Sequence, residues 1–304
     1  MKKVIFILLA AITILSGCAT EKPNTNISPK ADGIVIALLD TGISTLAIDE
    51  TLLLAGYNYV ENSDNTEDKI NHGTAVASVI VGSAPAEIEG LAKNAYLVPL
   101  VVRSKTESGE QKGITADTLA QVIIDCVYKY DADIINISLG IKKDAEEVKK
   151  AIAYAEKKGV LVVSAVGNEG KDEDYYYPAA YETVLSVGSH DKDSKPSDFS
   201  QRNGTTDILA PGEDIWLASK NGKTYGTRGT SFATAYVTAA AANLLAENPD
   251  LSPKEVRENL CQTATDIADE GFDMDSGWGI LNLEAVLAYR MSHKQANALE
   301  SQKR

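Results

Sequence analysis

The chain has 304 residues, 44% hydrophobic and 24% charged, a balance that supports a folded core and excludes bulk disorder. Its 43 acidic and 29 basic residues give a formal net charge of -14, a field that repels phosphates and so speaks against nucleic acid as a partner; it serves solubility first, with encounter of cationic peptides as the alternative. The length accommodates one large α/β domain or two small ones.

At the N-terminus, Lys2 and Lys3 precede the apolar run Val4 to Leu15, which is too short for a stable membrane-spanning helix and fits the apolar region of an export signal. The run closes in Leu15-Ser16-Gly17-Cys18, which resembles the bacterial lipoprotein box. The resemblance implies that Cys18 becomes the first residue and is diacylated, two acyl chains being enough for stable anchoring. An ordinary secretory signal with an incidental cysteine is the alternative. Residues 1–17 are thus expected to be a lipoprotein signal peptide. Residues 18–32, polar and containing Asn, Pro, Thr and Ser, are expected to form a flexible tether. The expected location is outside the cytoplasm, lipid-anchored to a bacterial cell membrane.

From Gly33 onward, short β-branched runs alternate with longer amphipathic stretches. The pattern predicts strands at Ile34 to Leu39, Leu97 to Val102, Ile134 to Leu139, Val160 to Ala165 and Val184 to Val187. Helices are predicted at Ala116 to Tyr130 and Asp144 to Lys158. A third, Ser231 to Glu247, is alanine-rich and nearly uncharged, the pattern of a helix buried on all sides. A fourth, Ser252 to Cys261, opens with an N-cap serine and proline at the first helical position. Alternation at this pitch predicts a three-layer α/β fold, a mostly parallel sheet with helices on both faces, over residues 33–290. Residues 291–304 are expected to be a polar tail. Cys126 and Cys261 fall in largely apolar helical patterns, so buried thiols are the default and one disulfide is the other option. No cysteine or histidine spacing suggests a metal.

Three reactive side chains sit where apolar runs meet glycine: Asp40 in IVIALLDTG, His72 in NHGTAVASVIVG, and Ser231 in GTRGTSFATAYVTAAAANLL. In α/β proteins such junctions carry catalysts. A serine becomes nucleophilic when a base takes its proton and a buried acid orients that base, and an imidazole and a carboxylate are those two groups. Taken singly, Asp40 could instead end a strand or cap a turn, and Ser231 could be an N-cap. His190 and His293 lie in a polar turn and the tail and compete poorly with His72.

The order Asp, His, Ser in these surroundings resembles the subtilisin-like serine proteases, the subtilases or peptidase S8 family. Further segments match in family order: SLG at Ser138 to Gly140, VVSAVGNEG around Asn168, YPAAYETVLSVGS from Tyr177, and DILAPGEDI from Asp207. The resemblance implies a subtilisin-like fold and a serine endopeptidase acting on peptide or protein substrates through an acyl-enzyme. It implies Ser231 as nucleophile, His72 as general base and acid, Asp40 as the orienting carboxylate, and Asn168 as an oxyanion donor. It further implies Ser138, Leu139 and Gly140 as the edge that pairs with extended substrate, and Ala165, Val166 and Gly167 as the opposite pocket wall. At Tyr177-Pro178 the family peptide bond is cis.

The chain also departs from the pattern. The usual Met, Pro and His after the nucleophile are Phe232, Ala235 and Tyr236, for which altered packing is expected. The counterpart of the calcium loop of many relatives, Ser83 to Gly90, lacks the Asn-rich pattern. No cofactor is required on this reading; a structural calcium is disfavoured, although Glu87 and Glu89 offer oxygens. About fourteen residues separate Cys18 from Gly33, too few for the family's folded prodomain. The pocket loop carries Glu169, Asp172, Glu173 and Asp174, which fits a preference for Lys or Arg before the scissile bond; the alternatives are a solvated surface loop and a pocket partly filled by Tyr176. Processing of a secreted peptide and broad degradation both fit. A catalytically impaired surface binding protein on the same scaffold is the rival. The oligomeric state is not legible.

Overall fold

In a computed structural model, which describes residues 33–170, 174–286 and 288, every residue of strand β1 (Val35–Asp40) is buried, as in a strand covered on both faces. The expected signal, tether and Cys18, the tail, and Asp172, Glu173 and His293 lie outside the described residues. After β1 come β2 (Tyr57–Asn58), α1 (His72–Ile80), β3 (Gly82–Ser83), β4 (Ile88–Glu89), β5 (Tyr96–Val101), β6 (Arg103–Lys105), β7 (Gln111–Gly113) and α2 (Ala116–Tyr128). The chain continues through β8 (Ile134–Ile137), α3 (Glu146–Lys157), β9 (Leu161–Ala165), β10 (Leu185–His190) and β11 (Ile208–Pro211). It then forms β12 (Ile215–Ala218), β13 (Thr224–Thr227), α4 (Thr230–Glu247) and α5 (Pro253–Gln262).

A seven-stranded sheet runs in the order β11-β10-β9-β8-β1-β5-β2, every neighbouring pair parallel. From β1 the chain fills one side with β2 and β5, then crosses over to add β8 through β11 on the other. Winding therefore reverses between β1 and β8, and the crevice beyond the carboxyl ends of strands at such a reversal is where open α/β sheets bind ligands. The pairs β3/β4, β6/β7 and β12/β13 are antiparallel hairpins outside this sheet.

Side-chain alternation sorts the sheet residues into two cores. Val35, Ala37 and Leu39 face α2 and α3, with Val122, Ile123, Val148 and Ile152. Ile36 and Leu38 face α1 and α4, with Val76, Ile80, Val237 and Leu244. The three-layer arrangement expected from the sequence is thus present. α4 is buried around nearly its whole circumference, consistent with its alanine-rich, nearly uncharged sequence. The N-cap serine and first-turn proline predicted for α5 are present, and Ser252 and Glu255 form a full capping box there.

Predicted boundaries shift by a few residues. β8 ends at Ile137 and not Leu139, because Ser138 to Gly140 leave the sheet for the cleft. α4 begins at Thr230, one residue ahead of Ser231. α1, the strands β2 and β11 and the hairpins have no counterpart among the predicted elements. Both internal cysteines are free thiols, Cys126 buried and Cys261 half-buried. Among the described residues no helix is long and apolar enough to cross a membrane.

Candidate active site

By alternation, Asp40 shares the face of Ile36 and Leu38 and points toward α1 and α4. It is 4% exposed. His72 opens α1 and donates from Nδ1 to Asp40 Oδ1 over 2.7 Å; the Thr41 N–H donates to the same oxygen, also at 2.7 Å. With Nδ1 so engaged, the neutral ring keeps its lone pair on Nε2, across the ring from Nδ1. Gly73 follows because α1 starts against the end of β1: a Cβ there would lie 2.2 Å from the Gly42 carbonyl oxygen.

The turn into α1 is organised by Asp68, a residue with no sequence signal. This buried carboxylate accepts from Thr41 Oγ1 (2.8 Å), Ile70 N (2.9 Å) and Asn71 N (2.7 Å) through Oδ1. Through Oδ2 it accepts from Thr74 N (2.9 Å) and Thr74 Oγ1 (2.7 Å). Thr41 Oγ1 in turn accepts from Gly73 N at 2.8 Å, so Asp68 ties the end of β1 to the first turn of α1.

Ser231 lies in the first turn of α4, where backbone N–H groups lack intrahelical acceptors and the helix dipole is positive. Its cap is Gly229 at φ 152° and ψ 150°, a conformation open essentially only to glycine. Ser231 is 7% exposed, and its hydroxyl donates to the Ser138 carbonyl at 3.3 Å. Asn168 Oδ1 accepts from the Thr230 N–H at 2.9 Å and from Thr230 Oγ1 at 3.0 Å. Because a backbone N–H can only donate, this contact fixes which amide atom is the oxygen and leaves Nδ2 as the donor beside Gly229, in the cleft that Ser231 also lines.

These groups line one cleft of about 690 Å³, together with Ser138, Leu139, Gly140, Ala165, Gly167, Tyr176 and Phe232. Among the described residues, Leu139 and Gly140 form no backbone hydrogen bonds, so their N–H and C=O groups are open to an extended peptide. Val166 departs from its expected placement. It is 2% exposed and does not line the cleft, because consecutive side chains of an extended segment alternate and Ala165 and Gly167 take the cleft face. The Tyr177-Pro178 bond is cis. The acidic side chain at Glu89, considered as a calcium ligand, is paired with Lys93. Among the described residues no cluster of three or more His, Cys, Asp or Glu could hold a metal.

Burial opposes charging of His72, but the Asp40 charge and hydrogen bond outweigh it; Asp68 adds to the rise and Arg103 subtracts from it. The net effect places the imidazole pKa above its ordinary 6.5. Phe232 lies against the ring, centroids 5.2 Å apart. Chemically, the cleft holds a hydroxyl, an imidazole with a free Nε2, a carboxylate fixing its tautomer, and two N–H donors at a positive helix end.

A model of the Subtilase family matches residues 31–279 of the chain. Subtilisin Savinase of Lederbergia lenta is 32% identical over 256 residues, which cover 84% of this chain and 90% of that protein. The major intracellular serine protease of Bacillus subtilis is 37% identical over 225 residues, 70% of this chain and 68% of that protein. Among solved structures, the prenylagaramide maturation protease PagA superposes with a TM-score of 0.70 at 28% identity, covering 86% of this chain and 94% of that one.

Two outcomes follow from the geometry. The His72 pKa, read by NMR, lies above 6.5 in the native chain and falls in Asp40→Asn, since removing the anion removes what favours the imidazolium. By linkage, the stabilisation from this charge is complete below the unfolded value and fades as pH rises through the folded one. Asp68→Asn puts an amide donor against the Thr74 or Ile70 and Asn71 donors and lowers unfolding stability by at least about 2 kcal/mol, measured by guanidinium denaturation. A loss under about 0.5 kcal/mol would show the turn to be held by other contacts.

Proposed function

We propose a mechanism and a location from the premise that this chain belongs to the subtilase family and is a serine endopeptidase. Ser231 is the nucleophile, His72 the general base and then acid, and Asp40 the group that fixes the imidazole tautomer and stabilises the imidazolium. Ser231 Oγ attacks the scissile carbonyl carbon while its proton passes to His72 Nε2. The tetrahedral oxyanion is met by Asn168 Nδ2 and the Ser231 N–H. Collapse breaks the C–N bond as the imidazolium protonates the leaving amine, and water, deprotonated by His72, releases the acyl group.

The observation that carries this reading is the 2.7 Å bond from His72 Nδ1 to buried Asp40 in the same cleft whose floor is the first turn of α4 at Ser231. Substrate lies extended along Ser138 to Gly140, with its preceding side chain toward Ala165 and Gly167. The substrates are exported peptides or proteins, and limited processing, as the name of the maturation protease PagA suggests for that relative, is the role we favour. The altered residues behind Ser231 motivated an inert binding scaffold, but Phe232 packs on the imidazole and leaves the polar geometry in place.

The enzyme works outside the cytoplasm, held to a bacterial membrane by lipid on Cys18. Support for this comes from the sequence alone: the paired lysines, the short apolar run, and the cysteine after Leu15-Ser16-Gly17.

A fluorophosphonate probe labels Ser231 in the folded chain and not in Ser231→Ala; no labelling of the native protein returns the inert-scaffold reading. Asn168→Ala lowers kcat by about 10²- to 10³-fold with little change in KM, the signature of a donor used in the transition state. In bacteria, Cys18→Ser moves the protein from the detergent phase to the aqueous phase on phase partitioning, and an unchanged distribution would rule out the lipid anchor.

A further inference from the structure

The proposed pocket for the side chain before the scissile bond runs between Gly140 on one wall and Gly167 on the other, beside Ser231. Neither glycine contributes a side chain, which in a cleft of this kind would leave room between them for a large substrate group. The space is taken by the chain itself. A Cβ built on Gly140 would lie 3.0 Å from Tyr176 Cδ1, and one on Gly167 would lie 3.1 Å from Tyr176 Cδ2, so the ring is packed between both backbones.

The ring stands on a fixed base. Tyr177 exchanges backbone hydrogen bonds with Ile141 (2.9 and 2.8 Å), and the Tyr176 carbonyl accepts from Ala180 N at 2.9 Å. On the other side, the Asp174 carbonyl accepts from Gln201 Nε2 at 2.9 Å and Asn203 Nδ2 at 2.6 Å. The buried Tyr176 hydroxyl lies beside Glu169 and Lys142, so packing of the ring between the glycines is joined by these two groups at its tip.

Lys142 closes the arrangement from outside. Its Nζ donates to Glu169 Oε2 at 2.7 Å and to Asp174 Oδ2 at 2.9 Å, and it lies 5.5 Å from the Tyr176 ring centroid. One cation thus links the wall after Gly140 to the wall after Gly167 across the face of the ring. The two described carboxylates of the acidic loop are engaged by the enzyme's own lysine, which removes the basis for pairing them with a substrate Lys or Arg.

We infer that Tyr176 is the specificity-determining residue of the cleft: it stoppers the pocket, with Lys142 as its positioning residue, so that the enzyme takes glycine, alanine or serine before the scissile bond. The inference rests on the peptidase reading above. A phenylalanine side chain would have to displace the ring from between the two glycines, and a preference on the order of 10²-fold for alanine over phenylalanine is expected from exclusion of that kind.

The test uses internally quenched peptides that differ only at the residue before the cut, with rates normalised to sites titrated by fluorophosphonate. The native chain is expected to cleave the Ala peptide with a kcat/KM about 10²-fold above the Phe, Leu or Lys peptide. Tyr176→Ala is expected to raise kcat/KM for Phe at least about tenfold while the Ala peptide changes less. Lys142→Met is expected to relax the preference partway, chiefly through KM. Product peptides ending in Ala or Phe, titrated calorimetrically into Ser231→Ala, report the same pocket without turnover. A native chain that handles Ala and Phe within threefold in both assays overturns the stopper, as does an unchanged preference in Tyr176→Ala or, should that variant fail to fold, in Tyr176→Leu. A retained binding preference without labelling or turnover sinks the peptidase mechanism and leaves the stopper standing.

Discussion

Asp40 carries a charge at the end of a strand that is buried along its whole length, and an uncompensated carboxylate there would cost on the order of several kcal/mol. Compensation reaches one oxygen only, from His72 Nδ1 and Thr41 N, while Oδ2 is buried without a partner. Much of the surrounding architecture follows from bringing that imidazole in. α1 has to start at the strand end, which is why position 73 has no room for a side chain. The turn before it has to fold back sharply, and Asn71 does so in a left-handed conformation at φ 97° while Asp68 collects the freed N–H groups. Two carboxylates therefore share the work: Asp68 builds the turn, and Asp40 holds the ring that the turn presents.

The positive end of the site comes from a different source. α4 runs 18 residues through the core and ends its dipole at the cleft, beneath Ser231. Such a helix can be buried only because its one charge, Glu247, sits at its very end and its sequence is rich in alanine, small enough to pack against α1 and the strands. Arg103 and Arg228 line the same cleft on a chain whose formal charge is -14. The cleft is accordingly less negative than the molecule around it, which fits a site where negative charge develops on an oxygen.

Residues at the ends of apolar runs were the legible ones. Asp40, His72 and Ser231 each stand at such a junction, whereas their convergence follows from strand parity and from a winding reversal that only the strand order reveals. Asp68 was not legible, because a carboxylate in the polar stretch EDKIN looks like any solvated loop residue until five donors are seen to surround it. α1 is hidden for a related reason: HGTAVASVI is short and buried on every side from Gly73 onward, so its apolar residues do not mark out one helical face that would distinguish it from a strand. Val166 was placed on the pocket wall with its neighbours because a matching segment gives order along the chain, whereas alternation decides which side chains face the cleft. The acidic loop illustrates a limit of charge reading, since Lys142 is 27 residues from Glu169 in sequence and their pairing belongs to the fold.

The departure at Phe232 bears on how the base is held. An imidazole bonded through Nδ1 alone can still swing about that contact, and the side chain is 30% exposed on its cleft side. Phe232, itself buried, lays its ring 5.2 Å from the imidazole centroid at 37°, and its edge lies 3.5 Å from where a Cβ on Gly229 would stand. It thus fills the wedge between the ring and the cap of α4. Contact of this kind contributes about 0.5–1.5 kcal/mol beyond burial and restricts the ring plane. The same packing withdraws solvent from one face of the imidazole and so works against its charged form, in opposition to Asp40. The balance falls to Asp40, and the base is left both confined and more basic than a free histidine.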